Sequence, residues 1–299
     1  MAKKKRRRIT FKYALHRLTH VKFSTVVILL ILTVVAAVSI LPIIYIISNA
    51  FKPLSELFLY PPRLFVRNPT LQNFYDFFYS TDVSAIPLSR YIFNSLFVMV
   101  ITVAMTLVFS SACAYAFSKM RFPGRKWMFD MIIIALMFTP EAVVITRYLI
   151  VSNLGMINTY FAHILPHLAL PIGVFLMKQF IDQVPDSLCE AAKIDGANEV
   201  RILLNIIIPA VLPAVGAVMI LAFQNVWSDI TTSTFYMVDE SMKTLPYFVS
   251  TLSNALAVAS VARKGAVAAA GLLLFLPNFL IFAMLQKSMI ETMVTSGIK

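Results

Sequence analysis

The chain has 299 residues, of which 59% are hydrophobic and only 13% charged, with a formal net charge of +12 and a mean hydropathy of +0.81. Soluble domains are about 45–50% apolar and about 25% charged, so the solvent of this chain is lipid. That excludes a cytosolic enzyme, a secreted disulfide scaffold and a disordered regulator.

Nine of the 26 Lys and Arg residues lie within residues 1–22, where there is no acidic residue. A basic patch can bind nucleic acid. Placed directly before an apolar span, it is more simply a topology signal that holds the N-terminus in the cytoplasm, with contact to anionic membrane lipid as a by-product. No nucleic-acid partner is expected. The first apolar run, centred on residues 26–47 and interrupted by Pro42, exceeds the length of a signal-peptide core and reads as a retained helix.

A helix crosses the hydrocarbon in about 20 residues, and charge-free runs mark further spans at 91–118, 202–228 and 265–286. The stretch 127–177 is too long for one crossing. It divides into 127–146 and 159–177 around the polar turn Ser152-Asn153-Leu154-Gly155. The expectation is an all-α integral membrane protein of six transmembrane helices. Its organisation would be a basic segment 1–22, a permease-like membrane domain 23–287 and a tail 288–299. The turn after span two, from Lys119 to Lys126, carries four basic residues and no acid, so it belongs in the cytoplasm with both termini. Residues 48–90 and 229–264 then form long outer loops.

The loop 178–201 breaks the charge rule, with three basic and five acidic residues. Ser187-x-x-Glu190 reads as a capping box that starts a helix near Leu188. Gly196 falls where that helix needs a left-handed residue to stop. Asn198 can cap a second helix, with Glu199 favourably placed in its first turn. Ala191 and Ala192 would leave one side of the first helix almost bare, so that another backbone can approach. The simpler alternative is a solvated connection between spans four and five.

Glu190-Ala191-Ala192, then Gly196, then Ile206-x-Ile208-Pro209 resembles the EAA loop of ABC importer permeases. Ile208 stands where that family usually has Leu. The resemblance covers nearly the whole chain and is to the carbohydrate branch, similar to the maltose-type second permease. Phe51-Lys52-Pro53 and Pro69-Thr70-Leu71-Gln72-Asn73-Phe74 resemble its first outer loop. Asn94-Ser95-Leu96 resembles the start of its second span, and residues 114–119 with Phe122-Pro123-Gly124-Arg125 its end and basic turn. Two features depart from the branch: span five ends in Asn225-Val226-Trp227-Ser228-Asp229, and the tail has one glycine.

The resemblance implies a type I ABC importer permease fold, with the loop 185–205 as a coupling helix that docks on a cytoplasmic ATPase. Glu190, Ala191, Ala192, Asp195, Gly196 and Pro209 would carry the coupling. It further implies a homologous sister permease, a dimer of ATPase subunits and an extracytoplasmic sugar-binding protein met by the outer loops. The expected function is ATP-driven import of a carbohydrate, an oligosaccharide in particular, by a component that is not an enzyme and holds no cofactor.

The residues themselves bear on the energy source. A P-loop needs two glycines five positions apart, and the eight glycines contain no such pair, so ATP would be hydrolysed by another subunit. Ion coupling would need an ionisable group within the membrane. Glu141, beside Pro140, is the best candidate, either as a carboxylate in the translocation path or as a residue of the outer interface. His163 and His167 share a helical face, but with no third ligand nearby in sequence they do not suggest a metal site. Cys113 and Cys189 have no motif spacing and read as inert small residues. An ABC permease for another solute, such as a glycerol phosphoester, a secondary transporter and a non-transporting scaffold stay open as alternatives.

Overall fold

A computed structural model describes residues 23–57, 59–61, 63–79, 86–255 and 264–296. The basic segment 1–22 lies outside these, as do 80–85 and 256–263 of the outer loops and the last three residues of the tail. Among the described residues all regular structure is helical.

Three helices are long and apolar enough to cross a bilayer unbroken: α1 (Phe23–Phe51), α3 (Leu88–Lys119) and α14 (Lys264–Ser296). Between α1 and α3 lies the short helix α2 (Gln72–Phe78). Each of the other three spans is a bent pair, which gives six crossings in all. Span three pairs α4 (Arg125–Ala135) with α5 (Val144–Asn153) across a 3-10 turn at Pro140–Val143, bent by 106°. Span four pairs α6 (Tyr160–Leu168) with α7 (Pro171–Ile181), bent by 42°. In span five a segment made of α9 (Glu199–Ile202), a π-helical turn (Leu203–Ile207) and α10 (Ile208–Ala210) meets α11 (Leu212–Trp227) at 90°.

Six straight rods would follow from hydropathy alone, and proline chemistry corrects that picture. Pro140 lacks an N–H and disfavours helical backbone at the preceding residue, and Thr139 is indeed extended. Pro171 follows Leu170, whose backbone is also off the helix. Pro209 and Pro213 bracket Val211, where the third bend falls. Pro42, by contrast, is accommodated inside α1.

Helix α3 is the central post. Its buried face is made of small and hydroxylated residues, including Thr102, Thr106, Ser110, Ser111 and Ala114. Such a face lets helices approach closely in a membrane. Gly173 of α7 uses that space, because a β-carbon there would lie 3.1 Å from Ser110 Oγ, Leu170 and Val218. Two apolar clusters stand at opposite ends of the bundle. The one at the basic end joins Ala114 and Tyr115 of α3 to Met177, Ile181, Ile202, Ile207 and Val218. The other joins Phe77, Leu88 and Tyr91 to Phe248, Leu252 and Ala270. Helix α1 touches the body only through its last turns, where Ala50 packs on Ala269 and Leu272 of α14.

The end of α1 is held by α2. Asn73 Nδ2 donates to the carbonyls of Ala50 at 2.9 Å and Lys52 at 2.7 Å, and so satisfies acceptors that a helix end leaves open. The motif around Asn73 is therefore a clamp on the first span. The remainder of the outer loop 229–244 contains α12 (Thr231–Tyr236) and leads into α13 (Leu245–Ala255).

Candidate functional site

The loop between spans four and five folds as helix α8 (Asp186–Ile194), a turn, and α9. Gly196 closes α8 at φ +81°, the left-handed conformation that favours glycine. Asn198 Oδ1 accepts the N–H of Arg201 at 2.9 Å and caps α9. The capping box does not form: the helix begins two residues earlier, with Pro185 as its N-cap and Ser187 already inside. Asp186 occupies the first turn instead, and Glu190 is left on the surface.

The two alanines do not share a face. Cys189 and Ala192, three apart, are buried against the apolar cluster of α3 and α7. Ala191 points outward with Leu188, Ile194 and Asp195. Ile194 is 87% exposed, and Val200 in the next helix 63%. Leu188, Ala191, Ile194 and Val200 are thus the exposed apolar side chains of this loop.

The back of the loop is tied down at both ends. Lys119, the last residue of α3, donates to Asp186 at 2.6 Å and to the Val184 carbonyl at 2.5 Å. Tyr115, one turn earlier, donates to Glu199 at 2.5 Å, which also receives Lys193 at 2.7 Å. The Lys119 hydrogen bond holds the Asp186 carboxyl below its ordinary range. Lys193 first, and then Tyr115, does the same for Glu199, while Glu199 raises Lys193. Tyr115, Lys119, Asp186, Lys193 and Glu199 line a cleft of about 540 Å³ behind α8. These contacts tie α8 to α3 through Lys119, and to α9 through the Lys193–Glu199 pair that Tyr115 of α3 also meets.

Pro209 lies in α10, beside the bend of span five and away from α8. The structure therefore brings Glu190, Ala191, Ala192, Asp195 and Gly196 together and sets Pro209 at the elbow. Glu141 falls in the 3-10 turn at the break of span three and is exposed, so it does not continue a straight helix toward the outer interface. The anchoring roles of Tyr115, Lys119 and Glu199 are not legible in local sequence, because the partners are 84 and 67 residues apart.

His163 and His167 are both buried. His163 Nδ1 is 2.7 Å from Thr232 Oγ1 and its Nε2 is 3.1 Å from the Met242 carbonyl. His167 Nε2 is 3.6 Å from Asp229, a partner that sequence proximity did not suggest. No group of three or more metal-ligating side chains occurs among the described residues, and both cysteines there are free.

Six crossings, three of them broken, with a tethered helix-turn-helix between the fourth and fifth, define a membrane permease of the ABC importer type. The sequence matches the family described as the binding-protein-dependent transport system inner membrane component over residues 22–288, and the chain belongs to that family. It is 29% identical over 272 residues to the galactooligosaccharides transport system permease protein GanQ of Bacillus subtilis, covering 90% of this chain and 94% of GanQ. It is 27% identical over 265 residues to the arabinooligosaccharides transport system permease protein AraQ of Halalkalibacterium halodurans, covering 89% and 93%. Among solved structures, a chain of a bacterial ABC transporter involved in the import of the acidic polysaccharide alginate superposes with a TM-score of 0.75 at 22% identity, covering 88% of this chain and 95% of that one. That likeness concerns the fold. The resemblance to carbohydrate ABC importer permeases read from the motifs agrees with these relatives.

Proposed function

We propose that this chain is one of two permease subunits of an importer that carries an oligosaccharide, driven by ATP hydrolysed on separate subunits. The observation that carries the reading is the coupling loop itself: pinned along its back to α3 and α9, and bare along its front. In this mechanism the exposed Glu190, Ala191, Asp195 and Gly196 present α8 to a cleft of the ATPase, the buried Ala192 seats α8 on the bundle, and Pro209 shapes the elbow that passes the motion to α11. Closure of the ATPase pair drives α8, and the spans alternate between inward- and outward-open forms. The basic residues of 1–22 and 119–126 support a cytoplasmic position for the N-terminus and the turn after α3, and alternation of the spans then puts α8 and the C-terminus on the same side. The outer loops then face an extracytoplasmic sugar-binding protein. The oligosaccharide class is supported by the relatives, which are named for galactooligosaccharide and arabinooligosaccharide transport.

Glu141 is assigned to the wall of the translocation path, because the break of span three leaves its side chain exposed. An Ile194→Cys variant of the assembled importer, treated with a bifunctional thiol reagent, tests the docking. Adducts to the ATPase subunit whose yield changes with ATP are expected. Adducts to lipid or to the permease alone would overturn the reading.

A further inference from the structure

At the basic end of the bundle, Phe117 of α3, the turn 122–124, the first turns of α4 and Lys178 of α7 enclose a cavity of about 750 Å³. We propose that this cavity is a binding site for the headgroup of an anionic phospholipid. The proposal goes beyond solute transport and rests only on the crossing of the membrane by α3.

Depth is the first argument. Helix α3 has 32 residues, about 48 Å at 1.5 Å per residue, which exceeds the bilayer with its headgroups, about 40–45 Å thick. Its last turn therefore emerges among the headgroups, and the cavity beside Phe117 lies at that level. Trp127 on the cavity wall is 66% exposed, as expected for an aromatic residue of the interface belt.

Charge is the second. Arg125, Lys126 and Lys178 line the cavity against a single lining carboxylate, Asp130. Arg125 donates to the carbonyls of Met120 and Ser118, each at 3.1 Å, which fixes the turn but leaves its charge in place. Lys178 is partly compensated by Asp182 at 2.6 Å and stands 4.7 Å from the centre of the Phe129 ring. Lys126 is exposed and has no hydrogen-bond or ion-pair partner among the described residues.

The helix start adds to this. No side chain caps α4, whose first turn holds Arg125 and Lys126 and no acid. Two cations at the positive end of a helix dipole are unfavourable alone and become favourable around an anion. Below the cavity, Trp127, Met131 and Ile134 of α4 are exposed at helical spacing, and Phe138 in the turn after α4 is exposed as well. They form an apolar track on which an acyl chain would lie, and this distinguishes a lipid from a soluble phosphate.

The test uses the whole importer in nanodiscs of equal phosphatidylglycerol and phosphatidylcholine, with retained lipid counted by native mass spectrometry. A basic residue near the leaflet is worth about 1 kcal/mol, or about fivefold. Lys126→Gln should lower phosphatidylglycerol retention about fivefold and Lys126→Glu about twenty-five-fold, while Asp130→Asn should raise it about fivefold. A rise is an outcome that mere damage to the fold would not produce. Equal retention in all three variants would overturn the proposal. So would displacement of the lipid by millimolar glycerol phosphate, which would assign the cavity to a soluble anion.

Discussion

The proposed coupling loop around α8 and the proposed outer loop 229–244 connect spans of the same bundle, yet they are held in opposite ways. The outer loop is fixed along its length. Asp229 accepts the N–H groups of Thr231 and Thr232, each at 3.1 Å, and the Thr232 hydroxyl. Asn94 donates to the carbonyls of Ser241 and Lys243, each at 2.8 Å. Tyr91 donates to Glu240 at 2.9 Å, and Ser95 Oγ accepts the Leu245 N–H at 2.7 Å. The loop around α8 is tied by hydrogen bonds at Val184 and Asp186 and at Glu199, and by the buried Cys189 and Ala192, while among the described residues no side-chain hydrogen bond is made by residues 187–192. One loop completes itself within the chain. The other is tied at its ends and leaves Leu188, Glu190 and Ala191 exposed in its middle.

That contrast predicts different failures. The largest effect is expected at Gly196, where proline would impose φ near −65° in place of +81°, at a local cost of about 3 kcal/mol or more. Gly196→Pro, like Glu190→Lys on the exposed face, should reduce ATP-driven uptake to background while membrane insertion is kept, and Glu190→Lys should leave thermal unfolding near the parent. Parent-like uptake would break the comparison.

The outer loop should show the converse. Asp229→Ala orphans donors that its carboxylate now accepts, and leaving such groups unmet costs about 1–3 kcal/mol each. The unfolding temperature should fall, and uptake should fall only as far as folded protein is lost. A stable but inactive Asp229→Ala protein would show that this loop is coupled to transport after all.

Tyr115→Phe removes one tie from the back of the coupling loop, a loss of about 1 kcal/mol. Hydrogen exchange across α8 should quicken about fivefold, with the outer loop unchanged.

Acid should act at the same place. The carboxyls of Asp186 and Glu199 titrate below their ordinary range, so their anchoring is complete above about pH 4.5. It is lost as pH falls through the depressed values. Lys193, raised by Glu199, holds its share up to the ordinary lysine range near pH 10 and loses it above. Exchange in α8 should therefore be flat through neutral pH and rise in acid, and Lys193→Gln should move that rise to higher pH.

The smallest effect is expected at Glu141. In an ATP-driven importer Glu141→Gln should leave uptake insensitive to a protonophore, like the parent. Collapse of uptake with the proton gradient in the parent, relieved by Glu141→Gln, would favour ion coupling.

Much of this was legible in the residues. Charge-free runs marked four spans, the over-long stretch 127–177 divided at its polar turn gave two more, and Gly196 and Asn198 marked the turn and cap of the loop around α8. Helix breaks were visible only as prolines, and proline does not say whether a helix kinks or absorbs it. Pro42 sits inside an unbroken helix, whereas Pro140 accompanies a bend of 106°. The capping box failed because Pro185 opened the helix early and Lys119 claimed Asp186. Pairings such as Tyr115 with Glu199 depend on the assembled bundle, and hydropathy carries no record of which polar groups will meet.

The elbow at Val211 turns a mechanical corner. The segment 199–210 crosses the axis of α11 at 90°, and its 12 residues give an arm of about 18 Å. A pivot of that shape is a bell crank: each ångström of travel at the tip beside α8 corresponds to about 3° of swing in the upright. Prolines on either side of Val211 keep the corner from straightening into one continuous rod, which would slide along its length instead of tilting.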